Sequence, residues 1–351
     1  MHASGTGTTD QPVAELTPGD PATASADAFR DAVARAGRPV VLRGLAASWP
    51  MAQAAAASDA AVRDYILGFD AGRRPQVMQA EARLGGGYFY KPGLDGFNFE
   101  RREMPLSDAF AQMFAHAADA TRPTTYLGSL VAPAYLPGLA EANRPAIVPD
   151  GVDLRLWIGN PSTVACHYDA FDNLACVIAG RRRFTLYPPD CIADMYVSPI
   201  DHTIAGQPVS LAAATAQDED DHARRFPRFA AAAARRQVVD LAPGDALYMP
   251  KLWWHQVEAL APFNVMANYW WDGFQQGPDA PMLAMLFAMI TLAERPEAER
   301  AAFRAFFDHF VFRPEGHPLA HLPEAQRGVL RNLAEGGSGQ IRAMIMRALR
   351  G

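Results

Sequence analysis

Between Tyr126 and Trp271 the chain breaks into short β-prone runs: DLRLWIG, NLACVIAG, RRFTLYPP, QVVDLAPGDALYMP and FNVMANYWW. Pro, Gly and Asp punctuate them. Short strands at close spacing with turn signals between them predict a sandwich or barrel. The flanks read differently. Residues 1–25, rich in Ala, Thr, Pro, Asp and Gly without periodicity, predict a frayed leader. A helix follows at about 25–37 with Gly37 as its C-cap, then a buried strand in RPVVLRGL and a helix from Met51 to about Leu67. LGGGYFY has turn glycines leading into an aromatic strand. After Gly277 the pattern turns helical in PMLAMLFAMITLAERPEAERAAFRAFFDHF, PEAQRGVLRNLAE and GQIRAMIMRALRG. Three segments result: a leader over 1–25, a β-rich domain over 26–277 and a helical region over 278–351.

Composition narrows the class. The hydrophobic half and charged fifth are ordinary for a soluble globular protein, and a net charge of −6 argues against nucleic acid or an anionic membrane as partner. The three cysteines are odd in number and not in a CxxC pattern, which argues against a disulfide framework or thiolate zinc site and fits the cytoplasm. The first residues, MHASGTGTTDQP, lack the order of a signal peptide, and no run approaches the roughly 20 apolar residues that span a bilayer.

Two fragments carry chemistry. STVACHYDAFDN holds His167-Tyr168-Asp169, and on extended chain residues i and i+2 face the same way. PGDALYMPKLWWH holds His255 behind a tight turn and a strand. Each alone has a bland reading, a loop histidine beside a carboxylate or an imidazole in aromatic packing. Together, two imidazoles and one carboxylate can cover one face of an octahedral metal and leave the other face open.

HYDxxxN…GxxRFxLYPP and PGDxLYxPxxWWHxV together are similar to the JmjC/cupin-like hydroxylases, with the likeness running from about Arg38 to Gly273. Within that family the chain most resembles the asparaginyl hydroxylases. The resemblance implies a mainly β fold, a double-stranded β-helix (jelly-roll) core with N-terminal helices and a C-terminal helical bundle. It implies an oxygenase that uses Fe(II), O2 and 2-oxoglutarate as cosubstrate, gives succinate and CO2, and hydroxylates a C–H bond of a protein side chain or small molecule. His167, Asp169 and His255 become the iron ligands; Tyr126, Asn173, Arg182 and Asn268 contact the cosubstrate; Tyr88, Tyr90 and Trp270 line the substrate site. Two positions depart from the family. Arg182 stands where a lysine is usual, and Val164 where a threonine is expected. Strand alternation sends Arg182 to the barrel interior with Phe184 and Leu186, and a buried arginine demands an anion. The resemblance also implies a homodimer through the C-terminal helices, where Met282, Leu283, Met285, Leu286, Met289 and Ile290, then Ile341, Met344, Ile345 and Leu349, are apolar. The rival readings are a cupin-type metalloprotein that does not use 2-oxoglutarate and a non-catalytic binding module.

Overall fold

The structure, a computed structural model, describes residues 12–204, 206–213, 219–275 and 279–350. It divides into two compact units, Met1–Gly273 and Phe274–Gly351.

In the first unit the strands are β1 (Ala14–Leu16), β2 (Val40–Leu42), β3 (Gln76–Ala80), β4 (Gly87–Tyr88), β5 (Glu100–Glu103), β6 (Thr124–Val131) and β7 (Leu154–Gly159). They continue as β8 (Ser162–Tyr168), β9 (Asp172–Ala179), β10 (Arg182–Tyr187), β11 (Gln237–Leu241), β12 (Ala246–Met249), β13 (Trp254–Ala259) and β14 (Asn264–Trp271). One sheet has the order β1-β2-β12-β9-β14-β7-β6-β3-β5, the other β11-β10-β13-β8-β4. The last eight strands divide equally between the sheets, with β12-β9-β14-β7 facing β11-β10-β13-β8 and every neighbouring pair antiparallel. That is the jelly roll the family resemblance implies, and one form of the sandwich expected from the run of short strands.

The two faces of the larger sheet bury different clusters. Between the sheets lie Ala175, Val177, Phe184, Leu186, Val257 and Met266. The opposite face carries Leu174, Cys176, Ile178 and Tyr269 against Phe29, Met51, Ile66 and Phe110. β9 is therefore buried at every position, and from Leu174 to Ala179 it reads as an unbroken apolar run because it has core on both sides. Phe29 comes from α1 (Ala26–Ala32), Met51 from α2 (Pro50–Ala57), Ile66 from α3 (Asp59–Leu67) and Phe110 from α4 (Leu106–Ala118).

Sequence expectations needed local revision here. The helix expected from Met51 to Leu67 is two helices, because Ser58 adopts extended backbone and caps α3 by accepting from the Ala61 N–H at 3.0 Å. The frayed leader expected over 1–25 does not hold for its described part: Ala14–Leu16 pairs in parallel with β2, and Arg43 ties Glu15 to Asp245 of the Pro243-Gly244-Asp245 turn. Residues 1–11 lie outside the described residues.

The second unit contains α8 (Pro281–Leu292), α9 (Glu297–Phe307) and α10 (Ser338–Arg350), numbered after the short α5 (Ala132–Tyr135), α6 (Glu219–Arg225) and α7 (Phe229–Ala233) of the first unit. The helix expected in PEAQRGVLRNLAE is instead broken into two single 3-10 turns, Glu324–Gln326 and Gly328–Leu330, and a π turn, Leu333–Gly337, with Gly328 at φ +54 opening the second.

Gly180 sets the β9–β10 turn from which Arg182 starts. It has φ +75, and a Cβ there would lie 2.3 Å from the Asn264 side-chain oxygen and 2.8 Å from the Phe263 carbonyl. Left-handed strain costs roughly 1–2 kcal/mol for an L residue, before any clash. Gly180→Ala is expected to destabilise the protein by about 2–4 kcal/mol in chemical denaturation; an unchanged midpoint would show that the turn relaxes freely.

Candidate metal centre

β13 and β8 pair so that His255 lies directly opposite His167. Farther along, Val257 lies opposite Val164, so β8 uses three steps where β13 uses two. This bulge puts His167 and Val164 on the same inward face. The imidazole centroids are 4.4 Å apart. Asp169 sits just past the end of β8, its carbonyl accepting from the Leu252 N–H at 2.8 Å, and its Oδ2 is 3.6 Å from His255 Nε2. One ligand atom from each of His167, Asp169 and His255 falls within 4.8 Å of the others.

Both imidazoles are held in the tautomer a metal needs. His167 Nδ1 meets the Ala165 carbonyl at 2.8 Å and His255 Nδ1 meets the Trp253 carbonyl at 2.9 Å. A carbonyl only accepts, so each Nδ1 carries the proton and each Nε2 presents its lone pair. Burial, reinforced by His167 alongside, pushes the His255 pKa down to about 4, and Asp169 only partly opposes this. His255 is therefore neutral at neutral pH, as a ligand must be. A chain of amides positions the carboxylate. Trp157 Nε1 donates to Asn268 Oδ1 at 3.3 Å, Asn268 Nδ2 to Asn173 Oδ1 at 2.5 Å, and Asn173 Nδ2 to Asp169 Oδ2 at 2.9 Å. Asn173 thus reaches the metal ligand directly, and Asn268 acts through it.

Arg182, on β10 beside β13, is 1 % exposed. One Nη donates to the Trp157 carbonyl at 3.2 Å, while its Nε is buried with no partner. Burial lowers its pKa, and the Tyr126 hydroxyl against it works the other way. Among the described residues no carboxylate pairs with it. The Tyr126 ring fits because Gly159 lies opposite: a Cβ on Gly159 would come within 2.7 Å of the ring. Val164 completes the wall with methyls, and Thr163 pairs outward with Gly87 and Glu258.

The residues expected at the substrate site divide. Tyr88 packs against Tyr126 at 5.5 Å between centroids, its hydroxyl 3.1 Å from that of Thr124. Tyr90 lies farther along the same apolar cluster, against Phe97 and His202, its hydroxyl donating to the His202 carbonyl. Trp270 lies opposite Asn173 in the sheet and edge-on to Trp157. Trp157 and Arg155 escaped the sequence reading. Their signal was the alternation in DLRLWIG, where Leu154, Leu156 and Ile158 take one face and Arg155 and Trp157 the other.

The profile of the family described as a cupin-like domain matches residues 25–277. The chain belongs to the cupin-like family. Proteins named for a JmjC domain or a demethylase activity are among its relatives. It is 31 % identical over 195 residues to "Lysine-specific demethylase JMJ31" of Arabidopsis thaliana, covering 54 % of this chain and 31 % of that protein. It is 33 % identical over 125 residues to "Jumonji C domain-containing protein 5" of Drosophila melanogaster, covering 35 % and 29 %. With "HSPB1-associated protein 1" of Bos taurus it shares 31 % over 159 residues, 43 % of this chain and 31 % of that protein. The matches thus span about a third of the length of these relatives. JmjC cupin-like domains generally use Fe(II) and 2-oxoglutarate, and the triad can hold a metal ion. The residues fit both groups: two imidazoles and a carboxylate for a divalent iron, and an orphaned buried Nε on Arg182 for a carboxylate.

Asp169→Ala and His255→Ala are expected to lose stoichiometric Fe(II) binding while keeping the wild-type far-UV spectrum and unfolding cooperatively, since the apolar core between the sheets does not depend on them. Asn173→Ala should weaken Fe(II) affinity by about 10- to 100-fold through a loosened Asp169. Metal analysis after desalting, run beside circular dichroism, checks both; full iron occupancy in Asp169→Ala would overturn the ligand set.

Proposed function

We propose that this protein is an Fe(II)- and 2-oxoglutarate-dependent oxygenase that hydroxylates a C–H bond of a protein side chain or small molecule and releases succinate and CO2. The observation that carries the reading is a two-histidine, one-carboxylate face in the same interior as a buried guanidinium that no carboxylate among the described residues neutralises. A structural metal site would not call for a second, costly charge in the same interior. A dicarboxylate cosubstrate needs both ends: a metal for its keto acid and a cation for its distal carboxylate.

When bound, iron, 2-oxoglutarate and O2 supply the oxidising power and the transferred oxygen atom. The protein's own residues position and insulate. Arg182 takes the distal carboxylate through its unpaired Nε, and Tyr126 donates to the same group. Asn173 and Asn268 keep Asp169 from rotating. Val164 and Trp157 line the space with apolar surface and keep water from the reacting centre.

The same reading extends to setting and assembly. Cys166, Cys176 and Cys191 are buried and free, which fits a reducing cytoplasm. No helix among the described residues is long and apolar enough to cross a membrane. The name of HSPB1-associated protein 1 records a protein partner for that relative, and it keeps a protein substrate beside a small molecule here. Residues 278–351 supply a homodimer contact. No residue of α8 is buried, and Leu283, Leu286, Phe287 and Ile290 there, with Met344, Ile345 and Leu349 on α10, are exposed. Met-rich apolar helices of this kind suit an interface.

Arg182→Ala is expected to raise the KM for 2-oxoglutarate at least tenfold, since a charge-assisted contact is worth roughly 1.5–3 kcal/mol, with Fe(II) binding unchanged. Arg182→Lys should recover part of the loss. Succinate formation over a range of 2-oxoglutarate concentrations, with a panel of peptides and small molecules as substrate, measures it. No succinate from the wild-type protein with any of them, or an unaffected Arg182→Ala, would reject the reading. Analytical ultracentrifugation tests the dimer: full-length protein should sediment as a dimer at micromolar concentration, and removal of the residues after 320 should give monomer or insoluble protein.

A further inference from the structure

Arg182 is not the only cation turned into the space between the sheets. On β7, Arg155 lies directly opposite Asn268, and Trp157 follows it on the same face. Its guanidinium sits over the Trp270 ring at 4.9 Å from the centroid. Nη1 donates to Ser129 Oγ at 2.8 Å, and Ser129 holds φ +58, unusual for a residue with a side chain. Among the described residues no carboxylate pairs with Arg155, and its Nε and Nη2 have no protein partner. A second orphan lies beside it: Trp270 Nε1 is buried and donates to nothing. Trp270 in turn stands opposite Asn173, which grips the metal ligand Asp169.

The two side chains touch, and among the described residues no acceptor meets Trp270 Nε1 or the free edge of Arg155. A buried indole N–H without a partner costs free energy unless something bound to the protein satisfies it. A guanidinium with one edge engaged and the other free offers two parallel N–H bonds, the match for a planar carboxylate. Arg182 and Tyr126 lie against each other and can take the cosubstrate without help from Arg155. We propose that Arg155 and Trp270 Nε1 form a second anion subsite, which receives a carboxylate of the substrate itself, so that the protein acts on an acidic residue or acidic small molecule. The proposal rests on the oxygenase reading for what happens to that substrate, but binding alone tests it.

The probes are N-acetyl-aspartate amide and its neutral counterpart N-acetyl-asparagine amide. Each is titrated into protein holding Zn(II) and 2-oxoglutarate, so that the Arg182 pocket is filled. The indole N–H resonance of Trp270, assigned by its loss in Trp270→Phe, reports the contact. The aspartate probe should move this resonance saturably and bind at least about tenfold more tightly than the asparagine probe, as expected for a charge-assisted pair. Arg155→Met, which keeps an apolar stem over Trp270, should abolish that preference, and Arg155→Lys should retain part of it. Both variants should bind 2-oxoglutarate like wild type. Equal binding of the two probes, or an undiminished preference in Arg155→Met, overturns the proposal; so does tighter binding of inorganic phosphate than of the aspartate probe. Loss of 2-oxoglutarate binding in Arg155→Met also overturns it, by assigning Arg155 to the cosubstrate. If wild type fails to bind 2-oxoglutarate at all, the oxygenase reading falls separately, and the same comparison on protein without cosubstrate still decides whether Arg155 takes the acid.

Discussion

The site depends on one strand. β13 lies between β8 and β10, and its register sets His255 opposite His167 on one side and opposite Leu186 on the other. The same strand carries Ala259 opposite Arg182. Four residues of extended chain, about 13 Å at 3.3 Å per residue, therefore separate the metal end from the root of the buried cation. Backbone ladders on both sides hold that separation, and a one-residue slip would turn every inward side chain outward. The β8 bulge is the one irregularity in this frame. Without its extra residue, His167 and Val164 could not share the inward face.

The larger sheet contributes orientation. Trp157 on β7, Asn268 on β14 and Asn173 on β9 come from three adjacent strands, and their hydrogen bonds run across the sheet to Asp169. Asp169 itself lies in a turn, where nothing in the backbone ladder fixes its side chain. The amide chain transfers the rigidity of the sheet to it. The other face of those strands packs on Phe29, Phe110 and Met51 from the helices, so the N-terminal helices support the site without touching it.

How much of this could be read from residues alone varies with the kind of signal. His167, Asp169 and His255 were legible because short-range spacing and turn chemistry mark them, and Arg182 because alternation along RRFTLYPP sends it inward with Phe184 and Leu186. Arg155 and Trp157 obey the same alternation and were still missed. DLRLWIG is apolar on one face and mixed on the other, and only the pairing with β14 shows that the mixed face is the one that Asn268 shares. Tyr88 and Tyr90 look equivalent in LGGGYFY, yet β4 is only two residues long, and past it the chain carries Tyr90 into contact with Phe97 and His202. The bulge in β8 and the cap at Ser58 leave little trace in composition, since both come from how the chain is paired and packed.

The outermost strands have a consequence for how the protein behaves when concentrated. β1, β5, β11 and β4 end the two sheets, and none exceeds five residues. β5 is Glu100-Arg101-Arg102-Glu103, exposed along its whole length. β1 carries Glu15 bound to Arg43, and β11 carries Asp240 clamped by Arg183 at 2.8 and 2.9 Å. An open edge is a template on which an unfolding or newly made chain can add a strand and start a fibril. Here such a chain would find only short borders, three of them charged and the fourth, β4, just two residues long, so few backbone bonds are gained and at the charged edges ionic side chains must be stripped of water. The interior can therefore be rich in long apolar strands such as β9 and β14 without those strands becoming seeds for aggregation.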